Sequence, residues 1–506
     1  RWFLALRTRI IADFPPTSND IAMKFVVRLH AEITIKSASV RKRHGKVLTN
    51  NLRKILAPIH PSIYVKWLWD RIEVAADTDS NDARAAIRET LRHTPGISWF
   101  AEVIEQPLTT FDDITDLVGE HWNKRLQGKS FAVRVKRQGK HEFNSQQLER
   151  YIGGYLLKHA ENSRVQLTRP DEEVQLQITN QVVHLIGERI DGLGGFPIPT
   201  QETVLSLLSG GFDSGVASYE FIRRGARTHF CFFNLGGDAH EVAVRQIAYF
   251  LWKKYSSSHP IKFISVDFAP IVDDILTNVD NGQMGVVLKR QMLRAAARVA
   301  HYVKAQALVT GEAIGQVSSQ TLSNLRVIDQ ATPALVLRPL ITKDKQEIVD
   351  EAKKIGTEPL AKSIPEYCGV ISNKPTVKAV PEVIEAEEAK LNQDLLEQVV
   401  RASNVLSMQD IAEQTENELK MPDTTAELTK QSVIIDIRND DEIEAAPLNV
   451  SAEVIEIPFF KLASKFPELD QSCDYLLYCD QGVMSRMQAL LLHENGFNNV
   501  SVYKPD

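Results

Sequence analysis

Val204-Leu-Ser-Leu-Leu-Ser-Gly-Gly-Phe-Asp-Ser-Gly-Val-Ala-Ser218 decides the reading of this chain. An apolar strand, Val204–Leu208, runs into Ser209-Gly-Gly-Phe-Asp-Ser214, and a helix is expected from Gly215 to Arg224. Glycines let a backbone approach an anion closely, and successive N–H groups and the helix N-terminus then point at phosphate oxygens. The hydroxyls of Ser209 and Ser214 can add donors, which makes Ser209, Gly210, Gly211 and Ser214 candidate phosphate contacts. Asp213 is out of place in a loop that only binds anions; it points to Mg2+ or to a partner of a bound nucleotide. The loop lacks the GKS or GKT of a Walker A motif, which disfavours γ-phosphate transfer. A plain glycine turn would explain neither the acid nor the strand–loop–helix order.

Around this loop the pattern is alternating strand and helix. Strands are expected at Val204–Leu208, Thr228–Asn234, Lys262–Val266 and Ala307–Thr310, the mark of a parallel α/β sheet. Upstream, Val26–Ile35 and Ile63–Val74 are strand-like, while Arg41–Leu56 and Ala83–Leu91 have helical spacing. That βαββα order predicts a small α+β, ferredoxin-like unit. Strands near Ser130–Lys136 and Val174–Ile178 flank a helical stretch, Ser145–Lys158, and the turn-rich run Gly192–Pro197 marks a boundary. Residues 381–425 are acidic and helix-forming and read as a linker. A second, smaller α/β unit follows, with strands at Val433–Ile437, Val454–Ile457, Tyr475–Cys479 and Val500–Tyr503 and a helix over Ser485–Asn495. The fold class is multidomain, α/β combined with α+β.

At 506 residues the chain exceeds what one core can organise. It has no stretch of about 18 apolar residues, so no membrane span is expected. Residues 1–22 begin with Arg and lack a small-residue cleavage site, whereas Met23 opens a strand; the first 22 residues are expected to be upstream translation outside the fold. Four cysteines with no CxxC pair suggest neither a zinc ribbon nor a secreted disulfide scaffold, and no metal site of the chain's own is expected. A reducing, cytoplasmic location is expected.

The net charge of −6 hides an asymmetry: residues 23–197 hold 26 Lys+Arg against 21 Asp+Glu, residues 198–380 hold 21 against 17, and residues 381–506 hold 9 against 25. The first two-thirds can therefore face a polyanion and the last part cannot. Arg134-Val-Lys-Arg-Gln-Gly-Lys140 packs four cations into seven residues, with His141, Phe143 and Arg150 following, and Arg41-Lys-Arg-His-Gly-Lys46 adds a second cluster. Phosphates need such cations and bases stack on aromatic rings, so Arg134, Lys136, Arg137, Lys140 and Arg150 are candidate RNA contacts. An ordinary solvated surface would have the same composition. Cys479 ends a strand and opens Cys479-Asp-Gln-Gly-Val-Met484 ahead of a helix, where loop N–H groups favour a thiolate and Arg486 can assist. Six residues separate Cys479 from Arg486, against the roughly five that bidentate phosphate binding by a phosphatase loop requires.

Ser209–Ser214 resembles the PP-loop of ATP pyrophosphatases, the group of GMP synthetase, NAD synthetase and tRNA thiolation enzymes, which split ATP into AMP and pyrophosphate. The similarity goes further. Met23-Lys-Phe25, Glu32-Ile-Thr-Ile-Lys-Ser37, Arg134–His141, Gly311-Glu-Ala-Ile-Gly-Gln-Val-Ser-Ser-Gln320, Pro365-Glu-Tyr-Cys-Gly-Val370 and Cys479–Arg486 all resemble the 4-thiouridine synthetase (ThiI) family, in the same order from Met23 to Asp506. The resemblance implies a ferredoxin-like unit at 23–84, a THUMP RNA-binding domain at 85–195, a PP-loop domain at 196–380, an acidic helical linker at 381–425 and a rhodanese domain at 426–506.

It also implies chemistry. ATP, with Mg2+, would be held by Leu207, Leu208, Lys289, Gly311 and Gln320, and Lys345 would serve adenylation. Cys479 would carry a persulfide, and Cys368 would form a disulfide with it in turnover. Asp436-Ile-Arg438 matches the entry motif of the rhodanese fold. The implied partners are tRNA, gripped at its 3′ end by THUMP, a cysteine desulfurase as sulfur donor, and a sulfur-carrier protein of thiamine thiazole synthesis; a homodimer stays open. The residue types agree. Lys289 lies mid-helix in Val286–Arg290, an odd place for a charge unless it reaches an anion, although a solvated helix face would also hold it. Gly311 follows an apolar strand, Gln320 can hydrogen-bond a base, and Lys345 can neutralise charge growing on pyrophosphate. Cys231 reads as core and Cys473 as incidental. Two rivals are an RNA-binding module with relic α/β domains and a PP-loop amidotransferase; the latter has no use for Cys479.

Overall fold

The computed structural model describes residues 22–68, 71–235, 237–362, 364, 374–411, 424–425, 432–438, 443, 447–448, 450–457, 462, 465–479, 485, 488–489, 492–493 and 496–504. They form two compact units, one of the described residues up to 200 with 223–225, the other of the described residues among 201–222 and from 226 on.

The first unit is built on a nine-stranded sheet in the order Tyr64–Trp67, Ile72–Ala76, Met23–Leu29, Ile97–Pro107, Val182–Ile186, Glu172–Thr179, Ser130–Gln138, Arg164–Val165, with Ile190–Asp191 added beside Ile97–Pro107. One strand, Ile97–Pro107, serves two cores: its first half pairs antiparallel with Met23–Leu29 and its second with Val182–Ile186. On the first half, helices Ala38–Leu56 and Asn81–Arg92 bury Leu48, Leu52, Ile87 and Leu91 with Phe25 and Phe100. On the second, helices Phe111–Trp122 and Ser145–His159 bury Val118, Trp122, Leu148 and Ile152 with Phe131. Capping boxes start both of these helices, Thr110 with Asp113 and Asn144 with Gln147. The boundary expected at residue 84 falls inside helix Asn81–Arg92. The ferredoxin-like unit runs on into Ile97–Pro107 because Ile87 and Leu91 need the Phe25–Phe100 core to cover them.

The second unit holds two sheets. The larger has the order Leu335–Leu337, Ala307–Val309, Gln201–Leu207, Ala226–Asn234, Lys262–Asp267, Asn404–Ser407, parallel except for the last strand. Ala226–Asn234 is buried at every position but Arg227 and Asn234, as suits a parallel strand covered on both faces. Gln201–Leu207 comes first in the chain, with Ala226–Asn234 on one side and Ala307–Val309 on the other. The order reverses there, and in open parallel sheets such a reversal is where a ligand crevice forms at the carboxyl ends of the strands.

The stretch read as a linker from 381 is, as far as 407, part of this domain. Helices Pro381–Glu388 and Leu395–Arg401 place Ile384, Leu396 and Val399 in the core, and Asn404–Ser407 pairs antiparallel with Lys262–Asp267. The acidic composition misleads because one acid is internal: Glu388 accepts paired hydrogen bonds from Arg290 (2.8 and 2.9 Å) and Arg294 (2.6 and 2.8 Å). Residues 412–423 lie outside the described residues.

The smaller sheet is all-parallel, in the order Thr424–Thr425, Val500–Tyr503, Tyr475–Tyr478, Val433–Asp436, Glu453–Glu456. Ile435, Phe466, Leu477 and Val502 form its core. Its order also reverses, between Val433–Asp436 and Tyr475–Tyr478. Of the helix expected over 485–495, Ser485, Gln488, Ala489 and Leu492 are buried, at helical spacing. Among the described residues no helix is long and apolar enough to cross a membrane.

Candidate active site

The phosphate loop sits at the first reversal point. Gly210 has φ +94°, and a Cβ there would come within 2.9 Å of Ile364 Cδ1. Gly311 is held more strictly: a Cβ would meet the Asp213 carbonyl carbon at 2.6 Å and Ser214 N at 2.7 Å, both backbone atoms that cannot yield. The strand Ala307–Val309 and the start of helix Phe212–Arg223 therefore touch through a glycine. Inside the loop, the Ser209 N–H and hydroxyl both donate to Ser214 Oγ at 3.1 Å, and the Ser214 hydroxyl reaches the Gly211 carbonyl at 3.2 Å. His240 Nε2 lies 3.1 Å from the Ser209 carbonyl. Burial lowers the pKa of His240, and its bond to the Ser209 carbonyl only partly offsets this. A buried Ser206–Ser218 hydroxyl pair at 2.8 Å pins strand to helix. Leu208 is buried and gives its N–H to the Cys231 carbonyl, while Leu207 packs partly buried against the core.

Two polar networks converge on this loop. Lys345 Nζ lies 3.1 Å from both Asp213 oxygens, although 132 residues separate the two in sequence, and Gln316 Nε2 donates to Asp213 Oδ2 at 2.9 Å. In the second network Lys289 Nζ lies 3.3 Å from Glu312 Oε1. Glu312 Oε2 accepts from Arg338 Nε at 2.8 Å and from the Thr310 hydroxyl at 3.0 Å, and Arg338 also grips Asp329 at 2.6 Å. Burial by itself would raise the Glu312 carboxyl. The charges of Lys289 and Arg338 and the hydrogen bonds from Arg338 and Thr310 outweigh it and hold the group below the usual carboxylate range. Gln320 is buried and accepts the Ala313 N–H at 3.3 Å, so its carbonyl shapes the Gly311–Gln320 loop.

The structure thus brings together Ser209, Gly210, Gly211, Asp213, Ser214, Gly311 and Lys345; Gln320 closes the 311–320 loop, and Lys289 reaches that loop at Glu312 from helix Met284–Val303. Sequence reasoning did not single out Glu312, Gln316 or Arg338, although the first two lie within the quoted Gly311–Gln320 segment. Among the described residues no group of three or more His, Cys, Asp or Glu could hold a metal. Asp213 is a single carboxylate, which suits an ion carried mainly by phosphate oxygens.

The candidate sulfur site, at Cys479, lies at the reversal point of the smaller sheet. Cys479 follows Tyr475–Tyr478, and Ser485 approaches its sulfur with its N–H (3.4 Å) and its hydroxyl (3.5 Å). Beside it, the fully buried Asp436 takes Arg438 Nε at 2.9 Å and Nη2 at 2.6 Å, while the Arg438 guanidinium lies 5.0 Å over the Tyr478 ring. Cys479 and Cys473 are partly exposed, and Cys231 is buried with its thiol pushed far up by desolvation. Cys368, residues 480–484 and Arg486 lie outside the described residues, and with them the expected disulfide.

The basic run of the first unit is divided by the pleat of strand Ser130–Gln138. Arg134 and Lys136 share one face and Arg137 takes the other, beside Phe143 (5.4 Å to the ring) and Ser145. Arg134 donates to the Leu167 carbonyl at 2.5 Å and lies 3.8 Å from Glu173. Lys136, Lys140 and Arg150 are exposed. Of the four cations, Arg134 and Arg137 already engage protein acceptors, while Lys136 and Lys140 are exposed.

Comparison with known proteins identifies the family and its domains. Residues 199–393 match the family described as "Thiamine biosynthesis protein (ThiI)", residues 109–186 match the THUMP domain, and residues 420–505 match the rhodanese-like domain. The tRNA sulfurtransferase of Tolumonas auensis is 52% identical over 483 residues, covering 95% of this chain and 100% of the relative. That of Shewanella pealeana is 53% identical over 484 residues, covering 96% and 100%. A crystal structure of a 4-thiouridine synthetase–RNA complex with bound ATP superposes with a TM-score of 0.65 at 25% identity, covering 76% of this chain and 99% of that one. With relatives this similar along nearly its whole length, the chain belongs to the ThiI family of tRNA sulfurtransferases.

Proposed function

We propose that this enzyme uses ATP to replace O4 of a tRNA uridine, at position 8, with sulfur delivered by Cys479. The observation that carries the reading is the pairing of two reversal-point sites in one chain: an anion loop that glycine alone can build, and a cysteine whose sulfur faces donors. The solved synthetase that this chain resembles contains RNA and ATP, which supports both substrates. The uridine O4 attacks the α-phosphorus of ATP and pyrophosphate leaves, its charge met by Lys345 and the loop N–H groups. Asp213 would hold Mg2+, which supplies charge neutralisation on the phosphates.

A cysteine desulfurase supplies the sulfur, leaving a persulfide on Cys479. The terminal sulfur attacks C4 and AMP departs. Cys368 then attacks Cys479 Sγ, which frees the thiolated base and leaves a Cys368–Cys479 disulfide for a cellular thiol to reduce. Release of the sulfur as sulfide before attack gives the same disulfide. Such thiol cycling belongs in a reducing cytosol. The exposed Lys136, Lys140 and Arg150 would contact tRNA phosphates.

A second reading, sulfur transfer to a carrier protein for thiamine thiazole, is favoured by the description of the matched family. Mass spectrometry of tRNA nucleosides after reaction with and without ATP tests the first reading. 4-Thiouridine should form only with ATP, and its formation at full rate without ATP would end the proposal.

A further inference from the structure

Glu312 is a buried acid to which the chemistry above gives no task. Its side chain is 6% exposed, whereas that of Lys289 is 26% exposed, so the carboxylate lies beneath a lysine that solvent can reach. The two oxygens are sorted: Oε1 faces Lys289, and Oε2 takes both Arg338 and the Thr310 hydroxyl. Thr310 and Glu312 flank Gly311, the residue that touches the phosphate-loop backbone. The anchor of Lys289 is therefore rigidly tied to that loop. A lysine has many rotamers, and holding one of them in advance lowers the entropy lost when its ammonium meets an anion.

We infer that Glu312 is a positioning residue that holds Lys289 ready for the nucleotide. The inference rests on the reading above that Lys289 contacts ATP. Glu312 touches no substrate in this role; it acts through the lysine.

The chemistry of an amide supplies a selective test. In Glu312→Gln the single carbonyl oxygen is claimed by two donors, Arg338 and Thr310. The amide NH2 then faces Lys289, donor against donor, and the tether is lost. Arg338 keeps Asp329 through two hydrogen bonds, at 3.1 and 2.6 Å, which helps the fold survive.

The experiment uses the full chain. It measures the ATP dissociation constant without RNA, and KM for ATP and kcat for thiolation, in wild type, E312Q, K289A and the double variant, with melting temperature as the folding control. E312Q should weaken ATP binding and raise KM about tenfold with kcat nearly unchanged. The double variant should bind ATP no worse than K289A alone, because the two residues act in series. Wild-type affinity in E312Q, or additive losses in the double variant, overturns the inference. If K289A binds ATP like wild type, the lysine contact itself is wrong and the inference falls with it, a distinct outcome. Should E312Q fail to fold, E312D keeps the charge but withdraws it by one methylene, and must by itself raise KM at unchanged kcat; a wild-type KM there is equally fatal.

Discussion

The two parallel sheets of the second unit place their chemistry at the same topological address and equip it differently. In the larger sheet Gln201–Leu207 lies between Ala226–Asn234 and Ala307–Val309, and in the smaller one Val433–Asp436 lies between Glu453–Glu456 and Tyr475–Tyr478, so in both the order reverses where the functional loop leaves the carboxyl end of a strand. At the phosphate loop the crevice is surrounded by paired charges: Asp213 with Lys345, and Glu312 with Lys289 and Arg338. At the sulfur site the charge is internal. Asp436 and Arg438 are sealed together beneath Tyr478, and among the described residues Cys479 meets the N–H and hydroxyl of Ser485. Under the proposed function, the first site would meet a polyanion whose charge changes during reaction, and the second would present one polarisable atom. The fold sets where the loops meet, and the side chains set what happens there.

The sharpest way to break this contrast is to disable each site and read both. Cys479→Ala should abolish 4-thiouridine formation and leave ATP–pyrophosphate exchange intact. Asp213→Ala should lower exchange by about 10²–10³-fold and leave persulfide loading of Cys479 unchanged. Loss of both readouts in either variant would mean that the two sites are not separable.

A smaller effect concerns the strand-bearing segment once read as a linker. Glu388→Gln leaves two arginines facing a neutral amide and should destabilise the larger-sheet domain by about 3–5 kcal/mol, visible as an earlier transition in chemical denaturation. Burial opposes the ionisation of Glu388, but the hydrogen bonds and charges of Arg290 and Arg294 win and hold it below the ordinary value of 4.5. Its stabilisation is therefore complete above about pH 4.5 and is lost as pH falls through the lowered value. Glu312 follows the same sign. Melting curves between pH 7 and about pH 3 should show a steeper acid loss in wild type than in Glu388→Gln. A transition of wild-type midpoint in Glu388→Gln would return the segment to the status of a tether.

The smallest effect tests the first unit. Lys136→Ala should weaken tRNA binding modestly and reduce the slope of log affinity against log salt by about one, since Lys136 is exposed. Arg134→Ala should change that slope less, because Arg134 is already engaged by Leu167 and Glu173.

Much of this was legible from the chain. Local order suffices for a strand–glycine–helix loop, because backbone approach to an anion depends on residues adjacent in sequence. The same holds for the alternation of strands and helices. The acidic run 381–407 was misread because composition counts charges without showing which of them are buried, and Glu388 is one that is. The four cations of 134–140 were read as one patch because a linear count ignores the pleat that turns Arg137 away.

The amino-acid sequence alone therefore determined the domain kinds and the strand–glycine–helix loop, since each is written in contiguous residues with local physical reasons. Only the tertiary structure decided the pairings: Lys345 onto Asp213, Glu312 under Lys289, Glu388 between two arginines, Gly311 against the Asp213 backbone. Those contacts join residues from about 20 to 130 positions apart, and whether such charges meet depends on which strands lie side by side, which no local pattern encodes.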